Sequence, residues 1–318
     1  MSADLDGLLS AAEGVVAPTV SAVVADVDDA GLRVRYHRDA DRIYDLASLT
    51  KVLCTTEVAL RAVADGRLEL DGVHPMLPRG VRVRDLLQHA SGWPAHRELY
   101  RVVPPDVVHR RAAIVREALA TIPEAPPGMR HVYSDLGFLG LGAVLEDVLG
   151  ARIDACLDRA WPEHPFVWSH PDSEPTDGAR GGAVHDGNAR AMGGVAPHAG
   201  LFGTALQVAQ AGARWLSGEA PRAHLAFTTR GPGTHALGWD TANADGTSSA
   251  GAQPPADTVG HLGFTGTSIW MSPSRRRVAV LLTNRVALSL DPGPIRALRR
   301  AFHQAAWDLG RAGAREDG

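Results

Sequence analysis

Lysine is almost missing from this chain: Lys51 is the only one, and every other member of its 32 lysines plus arginines is an arginine. Cysteine is nearly as scarce, and Cys54 and Cys156 are too few for a disulfide framework. No run of about 18 apolar residues occurs, which excludes a transmembrane helix and a membrane partner. Positive charge is not in excess either. With 32 basic against 36 acidic residues and a net charge of −4, no basic field points to nucleic acid or an anionic surface. The opening Met1-Ser2-Ala3-Asp4-Leu5-Asp6 is acidic and lacks the basic start and apolar run of a signal peptide, so the chain as written reads as cytoplasmic. There is no H-E-x-x-H, no C-x-x-C and no tight His-x-His, so no metal and no cofactor is implied. There is also no G-x-S-x-G elbow. What is left, 45% hydrophobic and 21% charged over 318 residues, is the composition of a globular protein long enough to bury a sizeable core. Oligomeric state is not legible.

The solitary lysine organises the reading. Arginine stays protonated in proteins, whereas a lysine in a dry site can be lowered towards neutrality and act as a base. After Ser48, the residues Val52, Leu53, Val58, Ala59, Ala62 and Val63 form an apolar stripe at helical spacing, and Gly66 is a stop signal. Ser48 falls in the first turn, with Lys51 three residues on and on the same face. A hydroxyl, an amine within reach and the free N–H groups of a helix start are the parts of an activated serine nucleophile. The plainer reading is a helix cap beside a solvated surface charge, so the decision rests on partners elsewhere.

Along the chain, residues 4–15 read as a short amphipathic helix. Val20–Val27 and Leu32–Tyr36 read as two strands of an antiparallel hairpin. Helices are expected over Arg110–Ala120, Leu136–Leu149 (stopped at Gly150) and Leu206–Leu216. Loops are expected over 162–200 and 240–257, rich in Gly, Pro and polar residues. Strand texture returns at Thr267–Ser272 and Arg277–Thr283, and Pro294–Leu309 closes the chain as a helix. The expected fold is α+β: one antiparallel sheet built from both chain ends and flanked by helices, with a mostly helical insert. The division is 1–70, 71–225 and 226–318, with the site in a cleft where sheet region and insert meet.

Three more stretches bear on the chemistry. Pro127-Gly128-Met129-Arg130-His131-Val132-Tyr133-Ser134-Asp135 places Tyr133, one of four tyrosines, in a turn before a helix, where a phenol can relay a proton. The plainer reading packs Tyr133 at the helix entrance with Asp135 as the cap. Gly260-His261-Leu262-Gly263-Phe264-Thr265-Gly266-Thr267 is glycine-rich and enters a strand. An edge strand there can offer a backbone N–H to an oxyanion, and His261 a donor or a positive charge. Leu86-Leu87-Gln88-His89-Ala90-Ser91-Gly92 ends a helix at Gly92 and carries no obvious chemistry. His185 and His198 could be ligands, although a loop held by Asp186 and Asn188 side-chain hydrogen bonds is the simpler account.

Together these stretches, with Gly200-Leu201-Phe202-Gly203-Thr204-Ala205, resemble the serine β-lactamase and penicillin-binding superfamily. The nearest branch is that of class C β-lactamases, D-stereospecific peptidases and β-lactamase-like esterases. The resemblance covers most of the chain, with its landmarks in the family's order. It implies a β-lactamase/transpeptidase-like fold, Ser48 as nucleophile, Lys51 as its activating amine and Tyr133 as proton relay. The oxyanion hole would be the N–H groups of Ser48 and Phe264, with His261 and Gly263 beside the substrate.

Two departures bear on function. The family often has Asn where this chain has Asp135, and a carboxylate near Lys51 would favour its ammonium form. The proton would then pass to Tyr133, or the groups would titrate as a unit. His261 stands where class C β-lactamases have the lysine of Lys-Thr-Gly, which weakens the grip on a β-lactam carboxylate. The expected activity is a serine hydrolase acting on a small ester or amide, foremost a carboxylesterase. The alternatives are a D-Ala-D-Ala-type peptidase or weak β-lactamase, an acyltransferase, and a non-catalytic binder of peptidoglycan fragments or small amides. Loops 93–109 and 162–200 would shape the pocket.

Overall fold

Strand segments near the two ends of the chain, buried almost throughout in Val20–Asp28, Ser268–Ser272 and Arg277–Thr283, build the central sheet. In the computed structural model, which describes residues 4–177, 181–243 and 247–310, eight strands form. They are β1 (Val20–Asp28), β2 (Gly31–Arg38), β3 (Ile43–Asp45), β4 (Phe202–Thr204), β5 (Asp240–Thr241), β6 (Val259–Leu262), β7 (Ser268–Ser272) and β8 (Arg277–Thr283). Residues 1–3 of the acidic start and 244–246 of the expected 240–257 loop lie outside the described residues. Six strands make one antiparallel sheet in the order β2-β1-β8-β7-β6-β5, and β3 pairs with β4 apart from it. Both chain ends therefore share one sheet, joined where β1 runs against β8 from Val20↔Thr283 to Asp26↔Arg277.

The sheet is covered on both faces, which is why β1 and β8 are buried at almost every position. Val20, Ala22, Val24, Ala279 and Leu281 face the terminal helices Leu5–Ala12 and Pro292–Asp308, meeting Leu9, Ile295 and Phe302. Val23, Ala25, Val278, Val280 and Leu282 face the other way, into the larger core. The helix Ala205–Ser217 packs on that second face, against β1, β7 and β8. This corrects the expected insert in detail, since a helix within 71–225 belongs to the sheet layers. Gly212 lets it approach: a Cβ there would meet Val278 Cγ2 at 2.7 Å.

The helices Arg110–Leu119 and Asp135–Leu149 fall where the apolar spacing puts them, and Gly150, at φ +66°, ends the second. Two local expectations are revised. The segment after Ser48 is not one uniform helix but a 3₁₀ turn (Ala47–Leu49), a wide π turn (Lys51–Thr55) and an α-helix (Thr56–Ala64). Hydrogen bonds to a neighbouring segment accompany the irregular part: Thr55 Oγ1 donates to Pro197 O at 2.6 Å, and Thr50 Oγ1 accepts from Leu201 N at 3.1 Å. The helix expected to reach Gly92 stops at Leu87. The chain beyond it turns through left-handed His89 and Gly92, and a Cβ on Gly92 would lie 2.0 Å from Ala125 O. The helix Ile153–Ala160 has no counterpart in the sequence reading. Among the described residues no helix is long and apolar enough to cross a membrane.

A buried ion pair ties the Thr56–Ala64 helix to the sheet layers. Glu57, with no exposed surface, accepts from Arg214 Nη1 at 2.9 Å, and Trp161 lies 4.6 Å from the same guanidinium. Arg214→Met should therefore leave an uncompensated buried carboxylate and lower stability by about 3–5 kcal/mol in urea denaturation at pH 7. Adding Glu57→Gln should recover most of the loss; a double variant as unstable as the single one would refute the pairing account.

Candidate active site

The Ser48 turn is held from three sides. Asp45, at the end of β3, accepts from Ala47 N at 2.8 Å and from His185 N at 2.7 Å. Burial pushes its carboxyl up to about 6, against those two hydrogen bonds. Ala47 takes φ +48°, a costly conformation for a residue with a Cβ, and it sets the direction in which Ser48 leaves the strand. On the third side, Thr265 Oγ1 donates to Asp45 O at 2.8 Å and Thr267 Oγ1 to Leu46 O at 3.0 Å. Those two threonines staple the Gly263–Thr267 turn to the Ser48 turn. Gly263 is required at the staple, because a Cβ there would sit 2.0 Å from Thr267 Oγ1 and 2.8 Å from Leu46 O.

Lys51 is fully buried and uses all three of its ammonium protons. Nζ donates to Ser48 Oγ at 3.0 Å, to Asp135 Oδ1 at 2.7 Å and to His198 O at 3.3 Å. The surface-charge reading is therefore excluded. Burial alone would lower Lys51, but the charge of Asp135, followed by Tyr133, outweighs it and the amine is raised. Asp135 is correspondingly lowered: burial opposes its ionisation, and Lys51 and then His96 overcome that opposition. Asp135 does not cap its helix. Ser134 does, accepting from Gly137 N at 3.0 Å, which leaves the Asp135 carboxylate to face Lys51 from the first helical position. Its other oxygen meets His96 Nδ1 at 3.0 Å, and that hydrogen bond raises the imidazole.

Tyr133 packs against Lys51, with Nζ 4.9 Å from its ring centroid. Its hydroxyl is buried and meets no partner in regular hydrogen-bond geometry. Burial raises its pKa, and Lys51, with a smaller contribution from Ser48, pulls it back down. A phenol between a serine and an ammonium can exchange protons with either, and such contacts tighten only once a substrate is bound.

Three imidazoles pack around Tyr133; of these the sequence reading singled out His261 and gave no role to His89 or His235. His89 lies 4.4 Å from the Tyr133 ring and 4.6 Å from His235, and His261 lies 5.8 Å from Tyr133. Burial, then His235 and Lys51, lowers His261 well below its usual value, so it carries no positive charge. Its Nδ1–H donates to Leu262 O at 2.9 Å, which leaves Nε2 as a buried acceptor; the expected donor or cation at this position is corrected. His235 is pulled down to about 3, chiefly by burial. Among the described residues, His89, His235 and His261 are close enough to share an ion, as are His96, Asp135 and Asp186. The first trio is a poor ligand set, because His89 Nδ1 accepts from Ser134 N at 3.0 Å and the neutral ring must then carry its proton on Nε2. In the second, the Lys51 ammonium already occupies Asp135. Neither group includes His185 or His198. Asp186 and Asn188 hold that loop: Asp186 accepts from Ala189 N and meets His198 Nε2 at 2.9 Å, and Asn188 binds Tyr100 N and Arg97 O.

A cleft of about 990 Å³ opens above this arrangement, lined by Ser48, Tyr133, Asp135, His261, Gly263 and Phe264, with Lys51 beneath it. Both loops expected to shape it contribute, through His96 and Tyr100 and through His185 and Asp186. The start of the closing helix adds Ile295, Arg296 and Arg299. Phe264 projects into solvent at 54% exposure, stacked on His185 with the Arg285 guanidinium over its ring. β6 is not the edge strand that was expected, but β5 covers only Val259 and Gly260, so the end of β6 beside the cleft has no neighbour on that side. The arrangement can position a hydroxyl beside an ammonium, a phenol and backbone N–H groups. That is the equipment for acyl transfer.

Comparison with known proteins leads to the same chemistry. The family model described as Beta-lactamase matches residues 12–302. A protein of Escherichia coli (strain K12) named "Putative D-alanyl-D-alanine carboxypeptidase" is 26% identical over 301 residues, covering 76% of this chain and 69% of its own length. A crystal structure of a β-lactamase from Mycobacterium bovis superposes with a TM-score of 0.64 at 25% identity, over 92% of this chain and 97% of that one. EstCE1, described as a hydrolase with promiscuous acyltransferase activity, shares the fold with a TM-score of 0.69 at 20% identity, over 93% and 97% of the two chains.

Proposed function

The chain belongs to the β-lactamase family of serine hydrolases, and from that premise we propose that it is a carboxylesterase working through an acyl-enzyme on Ser48. The observation that carries the nucleophile is the set of hydrogen bonds made by Lys51, the only lysine, whose ammonium donates to Ser48 Oγ in a fully buried position. A protein that only bound its ligand would have no use for this grouping.

With Asp135 holding Lys51 as an ammonium, the proton acceptor is Tyr133. The Lys51–Tyr133 unit first loses one proton to solvent, and Asp135 decides that the phenol gives it up while the amine keeps its own. The Tyr133 phenolate takes the Ser48 proton as Oγ bonds to the ester carbonyl carbon. The oxyanion sits between the N–H groups of Ser48 and Phe264. Tyr133 then returns the proton to the leaving alkoxide as its bond to carbon breaks. Water repeats the cycle on the acyl-enzyme, with Tyr133 accepting the water's proton and returning it to Ser48.

The uncharged His261 favours an ester over a β-lactam, since a neutral imidazole gives the β-lactam carboxylate no counter-charge. A second reading, a D-Ala-D-Ala-type peptidase, draws support from Arg296 in the cleft, where a terminal carboxylate would meet a cation.

Intact-mass measurement after treatment with a fluorophosphonate should give one adduct in the wild type and none in Ser48→Ala. Turnover of p-nitrophenyl butyrate should fall at least about a thousandfold in Ser48→Ala. Stable trapping by penicillin with little ester turnover would favour the peptidase; labelling that survives in Ser48→Ala would refute Ser48. The pH profile tests the proton route. The active form is the deprotonated unit, so kcat/KM should rise with pH, with the limb on the alkaline side because burial raises Tyr133. Asp135→Asn removes the largest contribution that raises Lys51 against the burial that lowers it. The amine can then serve as base, and the limb should move to lower pH by about 1–3 units. A limb that stays in place would remove Asp135 from the proton route.

A further inference from the structure

Arg299, in the closing helix, is a buried guanidinium without a counter-ion. It is 6% exposed, and no ion pair to it occurs among the described residues. The groups acting on it are burial and then two further cations, Arg285 and Arg296, and together they pull it down to about 9. Its Nη2 donates to Gly263 O at 2.6 Å and to Thr267 O at 2.7 Å. Neither carbonyl needs it. Gly263 O already accepts from Gly266 N at 3.1 Å, and Thr267 O from Gly263 N at 2.7 Å, so backbone bonds close this turn without Arg299. An uncompensated buried cation is unfavourable for stability, and here it serves no carbonyl that would otherwise be orphaned.

Gly263 O belongs to the peptide unit whose N–H is that of Phe264. A charged donor on the oxygen of an amide draws electron density from it and makes its N–H a stronger donor. Among the described residues that N–H has no protein acceptor, and Phe264 lines the cleft with Ser48. Arg285 Nε donates to Phe264 O at 3.0 Å and fixes the next peptide plane in the same way.

We propose that Arg299 is the electrostatic back-support of the oxyanion hole: it acts through the Gly263–Phe264 peptide, and the oxyanion formed during acyl transfer is the counter-charge that the resting protein lacks. The inference rests on the reading of Ser48 and Phe264 given above. A charge left uncompensated until the transition state lowers the barrier without tightening ground-state binding.

The test uses the full chain with Arg299→Met, which keeps an apolar stem of similar length, and Arg299→Lys, which restores the charge. Readouts are kcat and KM for p-nitrophenyl acetate, the rate of Ser48 phosphonylation by a fluorophosphonate, and the melting temperature. In Arg299→Met, kcat and the phosphonylation rate should fall about ten- to a hundredfold. KM should stay within about twofold, and the melting temperature should hold or rise because an unpaired buried charge is gone. Arg299→Lys should recover most of the rate. A fall in melting temperature with kcat unchanged would reduce Arg299 to a structural role and overturn the proposal. So would a KM that rises only for an ester bearing a carboxylate, because Arg299 would then be a substrate receptor. A wild type that forms no Ser48 adduct is a different result: it removes the hydrolase reading itself.

Discussion

The ammonium of Lys51 is the constraint on which the rest depends. Removing a charged amine from water is tolerable only if each of its protons finds an acceptor and a counter-charge lies close by. Here those acceptors come from one near and two distant parts of the chain: Ser48 in the same turn, Asp135 at the start of a helix, and His198 O in the loop before β4. Satisfying one side chain therefore brings the Ser48 turn, the Asp135–Leu149 helix and the 196–204 segment together. The helix start suits the carboxylate as well, since the positive end of the helix dipole favours an anion there.

Around that pair, charge is distributed unevenly. On the Tyr133 side, burial lowers His89, His235 and His261 towards the neutral form, so among the described residues the phenol meets neutral rings and one close cation, Lys51. The far side of the cleft carries guanidiniums instead. Arg285 and Arg299 each donate to backbone carbonyls of the Gly263–Thr267 turn, while Arg296 lines the cleft itself. On the proposed mechanism, the arrangement keeps competing acids away from the proton route and places positive potential where negative charge would develop. Thr265 and Thr267, bonded to the carbonyls of Asp45 and Leu46, hold the two sides in register.

How much of this was legible can be judged residue by residue. The hairpin of β1 and β2, the strands β7 and β8 and the closing helix were readable because alternation and helical spacing are local. The family followed from motifs that are themselves short. By contrast, His89 looked inert, since nothing near it in the chain announces that it packs on Tyr133. Its neighbour His235 lies 146 positions further on and went unremarked. The Lys51 amine was read first as a base open to lowering, and the nearby Asp135 was noted only as a departure from the family. The 2.7 Å contact between them, 84 positions apart, decides the direction of the shift.

The amino-acid sequence alone determined the inventory: one lysine, a serine three residues before it, a tyrosine ahead of a helix, and strands at both ends fit to share a sheet. Those features depend on neighbours within about a turn or a strand, where spacing and propensity act directly. Tertiary structure decided what the inventory does. Whether Lys51 is charged, whether His261 is neutral, why Ala47 is bent to φ +48° and why Arg299 has no counter-ion all depend on burial and on groups far away in the chain. Protonation responds to the local dielectric and to charges within a few ångströms, and neither exists until distant segments pack.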